Sequence, residues 1–239
     1  MARDVVVTGV GALTPLGGTA AETWERLCAG DCGLGPVTRF DPAAADLRAG
    51  LAGEVSRDPA AHPAVDERRM ARFAQLAVPA TAEALTDAGV GDALADDAGA
   101  ELPWNPDRVG VCLASGLGGQ SETAALGGER PSPSHAVATL TNMAAGHLGV
   151  LLGVRGPTRS PATACAAGAH AVADAVRDVA AGRADVMLAG GSEAPVSPVG
   201  LGQFDAMRAL STVADPADAS RPFDADRNGF VASEGAGVL

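Results

Sequence analysis

One cysteine carries most of the chemical information in the chain. Cys165 lies in the run Pro161-Ala162-Thr163-Ala164-Cys165-Ala166-Ala167-Gly168-Ala169-His170-Ala171. A segment of β-branched and small residues leads into the thiol, and an unbroken run of small residues continues as a helix. That order places the thiol at a sharp strand-to-helix turn, at the positive end of a helix. Exposed backbone N–H groups and the helix dipole there favour thiolate over thiol. Such a thiolate is a nucleophile for a thioester carbonyl. The cysteine's own N–H can help hold the oxyanion that forms. The same pattern also fits a buried structural cysteine, the usual role of a lone thiol, and taken alone it leaves the two readings balanced.

The other reactive residue types are sparse. Cys28 and Cys32 are four apart, but neither a second pair nor a suitably spaced histidine accompanies them, so neither a metal nor a redox role is expected. Four irregularly spaced cysteines make no disulfide framework. His170 follows Cys165 by five residues, about 140° away around a helix, so it is expected to face away from the thiol as a structural residue. His62 falls in an expected loop. Gly9-x-Gly11 after a strand resembles the start of a dinucleotide fingerprint, but the third glycine and the later acidic residue are missing, and that reading is rejected.

The elements that must position the thiol alternate in type. Strands are expected over Asp4–Val10, Val109–Ser115, Arg159–Ala164, Ala184–Ser192 and Gly229–Leu239, with a short one near Leu51–Val55. Asp4–Val10 reads as fully buried, with β-branched residues on both faces. Helices are expected over Thr19–Ala29, capped by Thr19, Asp66–Ala88, closed by Gly89, Thr139–Leu151, Ala166–Ala181 and Pro198–Met207. Val90–Asp107 reads as a polar surface loop or short helix. The alternation gives an α/β layer architecture. The composition, with 3% aromatic residues and 31 glycines, suits a core packed through small side chains, not a disordered tail. A net charge of −12 argues against nucleic acid and anionic membrane surfaces as partners. Met1-Ala2-Arg3-Asp4 carries no apolar signal region, and no stretch reaches about 18 strongly apolar residues. A cytoplasmic, reduced protein is expected.

The Cys165 run resembles the active-site segment of the β-ketoacyl-acyl-carrier-protein synthases, the elongating ketosynthases of fatty acid and polyketide assembly. The likeness extends through Val5-Val6-Val7-Thr8-Gly9-Val10-Gly11, Phe40-Asp41-Pro42, Asn142-Met143-Ala144-Ala145-Gly146-His147-Leu148 and Arg155-Gly156-Pro157. It continues through Ala189-Gly190-Gly191-Ser192-Glu193, Ser220-Arg221-Pro222-Phe223-Asp224 and Arg227-Asn228-Gly229-Phe230. The resemblance covers essentially residues 1–239, as one N-terminal half-domain carrying the nucleophile. It implies the N-terminal half of a thiolase-like fold, one of two similar halves that each hold a five-stranded sheet flanked by helices. The family's His-Gly-Thr-x-Thr and second catalytic Gly-His segments, and its Gly-Phe-Gly-Gly loop, do not occur here. His147 belongs to a structural segment instead. The chain stops at Gly235–Leu239, inside an expected core strand.

What the resemblance implies is a decarboxylative Claisen condensation with Cys165 as acyl acceptor. A complementary C-terminal half would supply two histidines, and no cofactor or metal is called for. An acyl carrier protein is the implied partner. Arg68, Arg69 and Arg72 are the candidate docking cluster for that acidic protein; the alternative is a solvated helix face. A homo- or heterodimer is implied through the Arg159–Thr163 strand. His135 would occupy the position that crosses the two-fold to floor the neighbour's acyl pocket. With Ala136 and Thr163 it makes the candidate substrate pocket, more polar and roomier, suited to a polyketide-like or unsaturated chain. In the family, the helix after Cys165 lies between two layers. Exposing several hundred Å² of its apolar face would cost on the order of 10 kcal/mol, comparable to a domain's whole stability, so the chain is not expected to be stable alone. A non-catalytic partner resembling a chain-length factor is a second reading, though such partners usually replace the cysteine; a thiolase is a third. The Pro-Ala-Thr-Ala-Cys-Ala-Ala wording and a start at its own Met1 favour a discrete type II enzyme over a modular one.

Overall fold

The structure, a computed structural model, describes residues 3–91, 93–95 and 102–239. Part of the expected polar segment Val90–Asp107 lies outside the described residues. The strands are β1 (Gly11–Leu13), β2 (Gly35–Pro36), β3 (Leu51–Ala52), β4 (Val109–Ala114), β5 (Thr158–Arg159), β6 (Val186–Glu193) and β7 (Gly235–Val238). The helices are α1 (Ala20–Ala29), α2 (Arg72–Asp87), α3 (Gln120–Ala125), α4 (His135–Thr139), α5 (Met143–Leu151), α6 (Ala167–Ala180), α7 (Pro198–Ala206) and α8 (Pro216–Ala219).

Five strands make one mixed sheet in the order β1-β7-β6-β4-β5. β4 runs parallel to β5 and β6, while β7 runs antiparallel to both β1 and β6. All six residues of β4 are buried, which explains why it reads as a continuous apolar run. Their alternation defines two faces. Val109, Val111 and Leu113 join the main core with α2 and α5. Cys112 and Ala114 pack with Ala167, Ala171 and Ala175 of α6 on the opposite face. The outward side of α6 is open to solvent, with Ala169, His170, Val176 and Arg177 exposed.

Small residues set the spacing of these layers. A Cβ on Gly11 would lie 1.9 Å from the Ala80 carbonyl oxygen, and one on Gly9 2.1 Å from that of Ala84. The two glycines therefore let α2 lie directly on the backbone of β1 and the segment before it. Their role is close packing, in keeping with the rejection of a dinucleotide loop.

Several expected boundaries move. Asp4–Val10 is not a buried strand: it has no ladder partner, and Val6, Val7 and Val10 are 76%, 63% and 41% exposed. The register Gly11↔Val238 puts Val10 opposite Leu239, and among the described residues no strand pairs with Val5–Val7. The helix expected from Asp66 begins at Arg72. Asp66 closes its own turn on Arg68, Arg69 and Met70, and the Ala71 N–H donates to Ala138 O instead of continuing a helix. The helix expected over Thr139–Leu151 starts only at Met143, as α5; Thr139 ends the separate short helix α4, and Leu140 after it is extended. Thr139 O there accepts the Gly119 N–H at 2.8 Å. The strand expected over Arg159–Ala164 is reduced to Thr158–Arg159. Past it the chain leaves the sheet, and Ser160 Oγ donates to Thr141 O. Of Gly229–Leu239 only Gly235–Val238 is strand; Phe230 and Ser233 make isolated bridges to Leu210 and Gly53.

Gly11→Ala is expected to destabilise the chain by about 2 kcal/mol or more, because an added methyl meets a helix carbonyl that cannot retreat. Gly50→Ala, whose added Cβ meets nothing within 4 Å, should stay within about 0.5 kcal/mol of the parent. Urea denaturation midpoints of the two variants check this.

Candidate active site

The turn that carries Cys165 is built from its backbone. Thr163 ends the extended segment, Ala164–Ala166 form one tight helical turn, and α6 begins at Ala167. Ala164 has φ +51°, a left-handed conformation that costs a residue with a Cβ about 1–2 kcal/mol. Within the turn, the Ala166 N–H donates to Thr163 O and the Ala167 N–H to Ala164 O. Cys165 is free and exposed, and it sits one residue before the N-cap of a 14-residue helix. The sharp turn before a helix stands where the sequence places it.

Cys165 opens onto a cavity of about 910 Å³ walled by Gly168, Leu117, Ser192, Glu193, Phe204 and Phe230, among others. Two carboxylates shape its rim. Glu193, at the end of β6, accepts from Ser115 Oγ (3.1 Å), the Gly116 N–H (2.7 Å) and the Leu117 N–H (2.9 Å). That loop packs on the turn, since a Cβ on Gly116 would touch the Ala164 backbone at 3.4–3.5 Å. Glu234, whose side chain is fully buried, is gripped by the guanidinium groups of Arg39 and Arg72 and by the Val55 N–H at 2.8 Å. A buried carboxylate so compensated is tolerated, and loss of either arginine would leave charge uncovered. Both glutamates escaped the sequence reading. Their signal was a charged residue interrupting an apolar, glycine-rich strand segment.

The remaining sequence candidates do not all converge. Thr163 lies outside the cavity and is hydrogen-bonded at 2.7 Å to His170 Nδ1; neither residue lines it. His135 and Ala136 sit on α4, also away from it, with His135 Nε2 3.1 Å from Thr123 Oγ1 and Ala136 exposed. Arg68 and Arg69 are exposed just before α2, whereas the Arg72 guanidinium is held inward on Glu234. Cys112 is buried between β4 and α6, and desolvation pushes its thiol pKa up. Cys28 and Cys32 are exposed and free. Burial lowers the pKa of His147, with smaller opposing contributions from hydrogen bonds to the Val137 and Arg69 backbone. No group of three or more His, Cys, Asp or Glu side chains among the described residues could hold a metal ion. No helix among them is long and apolar enough to cross a membrane.

Comparison with known proteins gives a consistent picture. Residues 2–239 match the family model described as "Beta-ketoacyl synthase, N-terminal domain". The chain is 42% identical over 248 residues to a 3-oxoacyl-acyl-carrier-protein synthase 2 of Synechocystis sp., covering 99% of this chain and 57% of that protein. Among solved structures it superposes with TM-score 0.83 and 28% identity on a type II PKS acyl-carrier protein in complex with its ketosynthase bound to the hexaketide, covering 100% of this chain and 58% of that one. The ishigamide ketosynthase/chain length factor superposes with TM-score 0.82 and 29% identity over the same shares. The chain spans a little under three-fifths of the length of these relatives. The solved neighbours, with the five-stranded sheet flanked by helices on both faces, bear out a thiolase-like fold.

Iodoacetamide applied to the native chain should alkylate Cys165 and leave Cys112 unmodified, as read by peptide mapping; equal labelling of both would overturn the assignment of their environments. His147 makes a second prediction. Its folded pKa lies below the ordinary value, so as pH falls below about 6.5 the unfolded chain binds the proton first. Its stabilising contribution is complete above that pH and is lost as pH falls through the folded pKa. The drop in urea midpoint between pH 7.5 and 5 should therefore be smaller in His147→Gln than in the parent.

Proposed function

Since the chain belongs to the β-ketoacyl synthase family, matched over its N-terminal domain, we propose that residues 1–239 form the nucleophile-bearing half of a condensing enzyme acting on carrier-bound acyl chains. The observation that carries this reading is the free, exposed Cys165 at a left-handed turn before α6, opening on a cavity large enough for an acyl chain.

In the proposed reaction, the Cys165 thiolate attacks the carbonyl of an acyl thioester and the carrier thiolate leaves, so the acyl group moves to Cys165. A malonyl thioester then loses carbon dioxide. Its carbon–carbon bond breaks, and the electron pair remains as an enolate. The enolate carbon attacks the acyl carbonyl, and the oxyanion collapses with expulsion of the Cys165 thiolate. The turn at Ala164 and the loop held by Glu193 position the sulfur. The two histidines that stabilise enolate and oxyanion are assigned to a complementary second half. The chain by itself would accept an acyl group but would not elongate it.

The same reading extends to partners. Arg68 and Arg69 are exposed cations that an acidic carrier protein would meet, Arg69 beside its Asp66 partner, with Arg72 serving the frame behind them. β5 is an open edge of the sheet, a suitable seam for a homo- or heterodimer. Ala136, Val137 and Leu140 on and just after α4 are also exposed. His135 and Ala136 reach a substrate only if a second copy presents its cavity to α4. His135→Phe would then change which acyl lengths are accepted, and an unchanged profile sinks that role.

The direct test mixes acyl-carrier protein with the chain and reads intact mass. An added acyl mass that maps to Cys165 and is absent in Cys165→Ser supports the reading. No loading, in a folded chain supplied with the second half, favours a non-catalytic partner of the chain-length-factor kind.

A further inference from the structure

We propose that a second cavity, walled by Arg208, Arg221 and Arg227, is a binding site for a phosphate-class oxyanion. The chain has no lysine, and all 17 of its Lys-plus-Arg positions are arginines. Among the described residues, eleven arginines pair with carboxylates. Three of the other six line this one cavity of about 410 Å³, together with Ser220, Asn228 and Phe230. Like charges gathered in a concave site repel one another, and an acidic chain has ample carboxylates with which to neutralise them. Here it does not.

The local geometry leaves donors free. Arg221 Nε is buried and has no hydrogen-bond partner, a state that costs a charged donor its solvation without return. Arg227 Nη1 donates to Asp224 O at 2.9 Å, which anchors that guanidinium but leaves its charge uncompensated. Asn228 Oδ1 accepts from Thr212 N and Oγ1, so the amide NH₂ remains as a donor. The carboxylates of the loop itself, Asp224 and Asp226, form no ion pair with these arginines; Asp224 Oδ1 takes the Asp226 N–H. Arg208 stands at φ +57°, just past the end of α7, with its own N–H fixed on Asp205 O at 2.8 Å.

Several guanidinium forks, a hydroxyl and an amide around one concavity suit a tetrahedral dianion better than a carboxylate. The planar fork matches pairs of phosphate oxygens, and a carboxylate offers only two oxygens and one charge. Phe230 walls both this cavity and the one that holds Cys165. The organic part of a phosphate ester seated on the arginines would meet Phe230, the ring that the two cavities share. The oxyanion site itself does not depend on the condensing reading.

Calorimetric titration of the full chain with inorganic phosphate at low ionic strength tests the proposal. Phosphate should bind, sulfate should compete, and acetate should not. The exposed-cation variant Arg208→Gln/Arg227→Gln should weaken phosphate by about tenfold or more, as expected for loss of charge-assisted forks, while Arg130→Gln should leave it unchanged. Arg221→Lys keeps the charge but removes the fork, and should also weaken binding. Circular dichroism establishes that each variant is folded. Phenyl phosphate separates the two sources of the oxyanion. Tighter binding than inorganic phosphate, with slowed alkylation of Cys165, identifies an ester, and equal binding without that effect identifies the free ion. Phosphate binding no stronger than acetate, or unaltered in the folded double variant, would overturn the assignment.

Discussion

Close approach of helix and strand backbones is the constraint on which the other features rest. On one face, Gly9 and Gly11 bring β1 and its approach under α2. On the other, a Cβ on Gly191 would lie 3.2 Å from Gly168 Cα, so the first turn of α6 sits almost on β6. Ala167, Ala171 and Ala175 extend that contact along the helix. The consequence is positional. Because α6 lies so low on the sheet, its N-terminus meets the ends of β4 and β6, and Cys165 faces the same cavity as Leu117, Ser192 and Glu193. Larger side chains at these positions would lift the helix and move the thiol away from its walls.

Buried carboxylates then fix the loops that close packing alone leaves undetermined. Glu193 gathers the loop after β4. Glu234 ties the segment before β7 to residues 39, 55 and 72. Asp178 of α6, with no exposed side-chain surface, is held by Arg159 of β5 and Arg183, which joins the edge strand to the helix that follows Cys165. Glu193, Glu234 and Asp178 each have more than one donor, the condition under which burial is tolerable. A strongly acidic chain thus uses most of its arginines internally, and the few left over become informative.

Legibility in the sequence followed the range of the interactions involved. β4, β6, α1 with its Thr19 cap, and α7 were readable, because apolar runs, caps and helix periodicity are local. The thiol turn was readable for the same reason. The breaks were not: the start of α2 at Arg72 depends on Ala138 O, and the gap between α4 and α5 on the Gly119 N–H, both from distant segments. Asp4–Val10 was misjudged because its composition reports a strand that is buried on pairing, while the register of β1 on β7 leaves it no partner here. At the site, Cys165 was visible from residue type and context. Glu193 and Glu234 were not, since their meaning lies in the backbone amides and guanidiniums that surround them in space. Arg72 looked like part of an exposed basic cluster until its guanidinium was seen to turn inward.

The central claim is that a second layer, continuous with this chain or separate from it, completes the sheet and covers α6. Amide hydrogen exchange measures this most directly, comparing the chain alone with the chain joined to the second half of the Synechocystis relative. The account predicts rapid exchange over Val5–Val10 in the chain alone and strong protection there when the second half is present, with labelling of the exposed face of α6 suppressed at the same time. Slow exchange over Val5–Val10 in the isolated chain, or no change on joining, would contradict it.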